Sequence, residues 1–151
     1  MRWKKIITIC LFLLPLNPAH AFEDEWSFGM AAPSPTGLTL KKWVDAITAY
    51  DMFYEWSTKD RRAMLHLDIL THDFEMMEAE NGTMPVYYGI GVHVRYERGR
   101  SPVYGVRIPL GMVYMLEDKP LEFFGELGPR AGVVPETSFA IDFMAGLRYR
   151  F

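Results

Sequence analysis

The chain has 151 residues, half of them hydrophobic and 15% aromatic, with 16 basic against 19 acidic residues and a single cysteine. That length suits one domain. A formal charge of −3 leaves no basic face for nucleic acid, and one cysteine rules out an internal disulfide framework.

The chain opens with Arg2, Lys4 and Lys5, then an apolar run from Ile6 to Leu16, then Ala19-His20-Ala21. This charged, apolar, small-residue order predicts a secretory signal peptide over residues 1–21, cleaved after Ala21. The apolar run is too short to cross about 30 Å as a helix. Cys10 lies inside that run, away from the cleavage point. The expected mature domain, residues 22–151, carries a formal charge of −6 and no cysteine. No later segment is long and apolar enough for a membrane helix, so the domain either crosses a membrane with strands or is soluble in the periplasm.

The following segments alternate, as strands with two unlike faces do. The first, Glu25 to Ala32, turns Trp26, Phe28 and Met30 to one side, and Pro33-Ser34-Pro35-Thr36 is expected to end it. Gly37 to Val44 sets Leu38 and Leu40 against Thr39 and Lys41. Lys42 then falls on the apolar side, where it must snorkel to an interface. Residues Lys41 to Tyr54 also allow an amphipathic helix. Ala49 to Ser57 turns Tyr50, Met52, Tyr54 and Trp56 outward. Arg62 to Thr71 alternates Leu65, Leu67 and Ile69 with His66, Asp68 and Leu70. His72 to Thr83 is acidic and without period, the longest predicted connection, with Asn81-Gly82 as its turn.

From Met84 the alternation strengthens. Val86, Tyr88, Ile90, Val92, Val94 and Tyr96 oppose Tyr87, Gly89, Gly91, His93 and Arg95. After Glu97–Pro102, a sixth strand sets Tyr104, Val106, Ile108, Leu110, Met112 and Tyr114 against Gly105, Arg107, Pro109, Gly111 and Val113. Leu121 to Val133 opposes Leu121, Phe123, Leu127 and Val133 to Glu122, Phe124, Glu126 and Arg130. Ser138 to Phe151 has an uninterrupted apolar row from Phe139 to Phe151. Aromatic residues at both ends of aliphatic rows are the signature of interfacial girdles. Eight strands is an even count, as in small single-chain barrels.

The terminal strand, closing on Phe151, resembles that of bacterial outer-membrane β-barrels, and the whole domain resembles the small eight-stranded barrels of the OmpA and OmpW type. More closely, TGLTLKKW, PVYYGIGVHVRY, GVRIPLGMVY, PLEFFGELGP and GLRYRF resemble a family of single-domain barrels with no assigned activity. The resemblance implies an all-β, eight-stranded antiparallel up-and-down transmembrane barrel with short loops. It also implies a place in the bacterial outer membrane among its lipids, and delivery by the barrel assembly machinery, with Tyr149 and Phe151 as part of the insertion signal.

An eight-stranded barrel is just wide enough for side chains to fill it. The predicted inward set is Lys41, Arg95, Arg107, Arg130 and Arg148 against Asp51, Glu55, Asp68, Glu122, Glu126 and Asp142. Near-balanced charges suit a buried ion-pair network that plugs the lumen. Glu122 is expected level with Arg148 or Arg150, and Arg130 with Asp142. His66, Asp68, His72 and His93 have metal-ligand types but no compelling spacing, so no metal, cofactor or catalytic site is assigned. None of Ser27, Ser34, Ser57, Ser101 and Ser138 stands two residues after a histidine as in the lipid A deacylase motif. The expected role is structural or accessory, with a partner contact at the acidic His72–Thr83 turn. The competing class is a soluble lipocalin-like barrel, its apolar rows turned inward around an apolar ligand.

Overall fold

A computed structural model describes residues 25–34 and 36–151. The predicted signal peptide, its cleavage point and Cys10 lie outside the described residues. Within them there is no helix. The strands are β1 (Trp26–Ser34), β2 (Gly37–Trp43), β3 (Thr48–Ser57), β4 (Arg62–Asp73), β5 (Glu78–Ala79), β6 (Gly82–Thr83), β7 (Val86–Glu97), β8 (Val103–Arg107), β9 (Leu110–Leu116), β10 (Leu121–Val134) and β11 (Ser138–Arg150).

All pairings are antiparallel, and β11 pairs with β1, so the sheet closes on itself. Trp26 and Phe151 seal the seam by exchanging backbone hydrogen bonds of 3.2 and 2.8 Å. Because β8 and β9 occupy one place between β7 and β10 in one continuous register, the ring has eight members. Opposed residues can be followed around it from Ser27 through Lys41, Asp51, Asp68, Gly91, Arg107 and Arg130 to Ala140. Extending the β11–β1 register places Ala140 opposite residue 37, a stagger of ten residues relative to Ser27. With about 3.3 Å per residue and about 4.8 Å between strands, that stagger tilts the strands about 40° from the barrel axis.

Lys41 to Tyr54 forms no helix. A turn after Trp43 joins β2 to β3, with the Asp45 carboxylate accepting the Ile47 and Thr48 amides at 2.9 and 2.7 Å. Those bonds hold the Asp45 pKa below the usual carboxylate value. Strand β1 does not stop at Ala32. It runs through Pro33, opposite Met144, to Ser34, because its pairing with β2 has ended at Ala31 and no ladder bond on that side is asked of the proline. The sixth ring strand is not continuous: Pro109 has no amide to donate and divides it. The register still holds, because the Pro109 carbonyl accepts Gly89 N–H at 3.0 Å and Ile108 N–H reaches the Pro129 carbonyl at 2.9 Å.

The His72–Thr83 stretch is not an irregular connection. Strand β4 continues through His72 to Asp73, and β5 and β6 form a two-residue hairpin. Thr83 opposes Met115 and Val86 opposes Met112, so β6 prolongs β7 past the rim of β4 in one register.

The apolar rows face out. Phe28, Ile90, Val106, Leu110, Ile141 and Phe143 are all about half exposed or more, while the opposite rows are buried. Near the end that carries Trp26 and Phe151, the outward aromatics are Trp26, Tyr50, Tyr88, Tyr114, Phe123 and Tyr149. Near the other end they are Tyr54, Trp56, Tyr96, Tyr104 and Phe139. Tyr54 and Trp56 stack at 5.9 Å. Between these two rings the surface is apolar, mostly aliphatic with Phe28 and Phe143, and Lys42 is the one cation among outward strand positions.

Candidate functional site: the charged lumen

The inward rows meet inside the ring, and their charges form three tiers. In the tier nearest the Trp26–Phe151 seam, Arg148 is fully buried and is the hub. It donates from Nη2 to Asp51 at 2.6 Å, from Nη1 to Glu122 at 3.2 Å and from Nε to the Thr39 hydroxyl at 2.9 Å. Thr39 donates onward to Asp51 at 3.1 Å, and the guanidinium lies 3.8 Å over the Phe124 ring. Glu122 is directly opposite Arg148 in the β10–β11 register. Arg150, one pleat further on, bonds to the Leu116 and Lys119 carbonyls and so holds the β9–β10 turn.

Lys41 opposes Asp51 across β2 and β3, yet its ammonium goes elsewhere. Nζ lies 2.9 Å from His72 Nε2 and 4.2 Å over the Trp43 ring. A lysine ammonium only donates, so Nε2 must accept. That places the imidazole proton on Nδ1, which donates to the Ile47 carbonyl at 3.0 Å. One neutral tautomer of His72 satisfies both bonds.

In the middle tier, Arg107 joins Asp68 and Glu126. Nη2 reaches Glu126 at 2.6 Å, and Nη1 makes a short bond to Asp68. Tyr87 completes the tier, its hydroxyl donating to Glu126 at 2.8 Å. Gly91 sits between Asp68 and Arg107, opposite both. The arginine therefore passes over β7 at a residue without a side chain. A Cβ on Gly91 would collide with Asp68 Oδ1, and one on Gly128 with Arg107 Nη2. Gly91→Ala should cost about 1–3 kcal/mol. Gly125→Ala, whose Cβ meets nothing within 4 Å, should stay within about 0.5 kcal/mol. Urea unfolding of the two variants side by side checks the contrast.

In the far tier, Arg130 Nε binds both oxygens of Asp142 at 3.1 Å, and Arg62 Nη2 reaches Glu55 at 2.6 Å. His66 Nε2 is 3.8 Å from Asp142, and His66 and His93 meet edge-on at 6.3 Å. Neither ring nitrogen of either histidine has a hydrogen-bond partner among the described residues. Arg95 and Arg130 are only partly buried and stand toward the rim, so the fully enclosed charges are the other nine of the predicted set. Arg95 lines a cleft of about 490 Å³ at that end with Arg100, Ser101 and Glu136.

Sequence reasoning left out Thr39, Arg62, His72 and Tyr87 as network members. The signal was present for three of them: Thr39, Tyr87 and Arg62 all fall on inward rows. Ending β4 at Thr71, two residues short of Asp73, hides His72. Among the described residues no group of three or more histidine, cysteine and acidic side chains is placed to hold a metal ion. No hydrogen bond joins a serine to a histidine there; Ser57 instead bonds Asp60 at 3.0 Å in its turn. Tyr149 and Phe151 face outward and are more than half exposed.

No protein-family model and no curated protein matches the sequence. Two solved structures are similar. One is the N-terminal β-barrel domain of Pseudomonas aeruginosa OprF, with a TM-score of 0.69 at 12% identity, covering 85% of this chain and 98% of that one. The other is Ail, the attachment invasion locus protein of Yersinia pestis, with a TM-score of 0.43 at 13% identity over 85% and 99% of the two chains. At such identity the likeness to OprF is one of fold. The chain is an all-β, eight-stranded antiparallel up-and-down barrel, with the architecture of the small outer-membrane barrels that its sequence resembles.

Proposed function

We propose that the chain is an integral protein of the bacterial outer membrane, closed through its centre by ion pairs, with a structural or accessory rather than catalytic role. One observation carries this reading: the ring is apolar outside, between two aromatic girdles, and charged inside. A soluble barrel holding an apolar ligand needs the reverse arrangement, apolar within and charged toward water. In a bilayer the outward rows meet lipid, and the closed ring leaves no unpaired strand edge in the hydrocarbon.

Arg148 and Arg107, each held between two buried carboxylates, cross the space through which ions would otherwise move. Eight strands leave room for side chains but not for the aqueous channel of a porin. The refolded barrel in a planar bilayer should therefore show no steady ohmic current in ordinary salt. Stable unitary conductance from the unaltered protein would replace the plug with a narrow pore.

A further inference from the structure

We infer that the outer wall carries a site for one phospholipid with a zwitterionic headgroup, seated along a diagonal groove that begins at Lys42. The inference rests on the membrane reading above.

The groove follows from the pleat. The row Asp51, Asp68, Gly91 points its side chains inward, so on the outside only backbone lies there. Two outward rows stand on either side: Lys42, Tyr50, Ile69 and Ile90 on one flank, and Leu40, Met52, Leu67, Val92 and Val106 on the other. Together they enclose an apolar trough of about 670 Å³. From Lys42 on β2 to Val106 on β8 it crosses four strand spacings, about 19 Å. Lys42 is next to the last residue of β2 at the seam end, whereas Val106 lies three residues from Val103, where β8 starts at the far rim. The trough therefore climbs the wall. With strands tilted about 40°, the climb along the barrel axis is about 12 Å, close to the thickness of one leaflet of a core about 30 Å thick. That is the path of an acyl chain held slantwise.

The polar end is built for a phosphate. Lys42 lies 5.3 Å over the Trp26 ring, and Trp26 and Tyr50 flank it as its register partners. Past it the rim turns acidic, with Asp45, Asp73, Glu75, Glu80, Glu117 and Asp118 against Lys119 and Arg150. A phosphate at Lys42 is attracted, while a further negative charge beyond it is repelled. A headgroup with an ammonium outside its phosphate meets both conditions, as phosphatidylethanolamine does and phosphatidylglycerol does not.

The test refolds the barrel into phosphatidylcholine bilayers and measures motionally restricted lipid by electron spin resonance, using chain-labelled phosphatidylethanolamine and phosphatidylglycerol as probes. The site predicts a several-fold higher relative association for the ethanolamine probe. Lys42→Gln should abolish that preference and Leu67→Trp, which fills the trough, should reduce it. Lys119→Gln, on the same rim but off the trough, should leave it unchanged. Equal association of wild type and Lys42→Gln, or preference for the glycerol probe, overturns the site while leaving the membrane barrel intact. A protein that does not enter the bilayer at all overturns the membrane reading, and the site with it.

Discussion

Arg107→Met should destabilise the folded barrel by about 3–5 kcal/mol, because it strands the Asp68 and Glu126 carboxylates in the lumen without their cation. Both carboxylates are buried, and Tyr87 can relieve only Glu126. Methionine keeps much of the side-chain volume, so the loss reads out charge rather than a cavity. The triple variant Arg107→Met, Asp68→Leu, Glu126→Leu removes all three charges together and should recover most of that loss, since apolar replacement of a buried ion triad is often neutral or better. Urea unfolding of the refolded barrel, followed by the mobility difference between folded and unfolded forms, measures both. A single variant within about 0.5 kcal/mol of wild type would mean the carboxylates are well hydrated, and the lumen open to water.

Leu110→Arg should cost about 2–4 kcal/mol and impede insertion, because it sets an arginine on the lipid face midway along the sixth ring strand. Leu110 is 50% exposed and directly opposed by Leu127 and Tyr88, both outward. Six residues separate it from Leu116 and seven from Val103 at the two ends of that strand, which leaves the guanidinium no short path to either rim. Lys42 differs: it stands at the rim beside Trp26, where a cation reaches the interface. The same substitution at Lys42, Lys42→Arg, should be nearly neutral. Normal assembly of Leu110→Arg would show that this face does not contact hydrocarbon.

The period-2 rows are legible because a closed barrel enforces them: every strand has one wet or charged side and one apolar side, so the two rows and the strand count follow from alternation, while which row faces outward does not. Connections were less legible. His72 and Asp73 look like loop residues beside a run of acids, yet they oppose Tyr87 and Val86 of β7, whose ladder keeps them extended. Pro33 reads as a terminator, but a proline is harmless where one neighbour has already left the ladder.

The charged residues of the lumen could be listed from the sequence, but their partners were only half readable. Opposed pairs on neighbouring strands, Glu122 with Arg148, follow from register. Others do not. Register alone puts Asp51 opposite Asp68 and Arg107 opposite Arg130, two like-charged pairs. The structure avoids that repulsion by reaching farther: Arg148 on β11 crosses to Asp51 on β3, and Arg107 on β8 passes over Gly91 to Asp68 on β4. Side chains inside a narrow ring meet those from across it, which strand-by-strand pairing cannot anticipate.

The central claim is that this ring sits in the outer membrane with its apolar rows in lipid. The most direct measurement is outer-membrane fractionation, followed by electrophoresis of boiled and unboiled samples. The account predicts a band in the outer-membrane fraction whose mobility shifts on heating, as a detergent-resistant barrel unfolds. A soluble periplasmic band with no heat shift would contradict it.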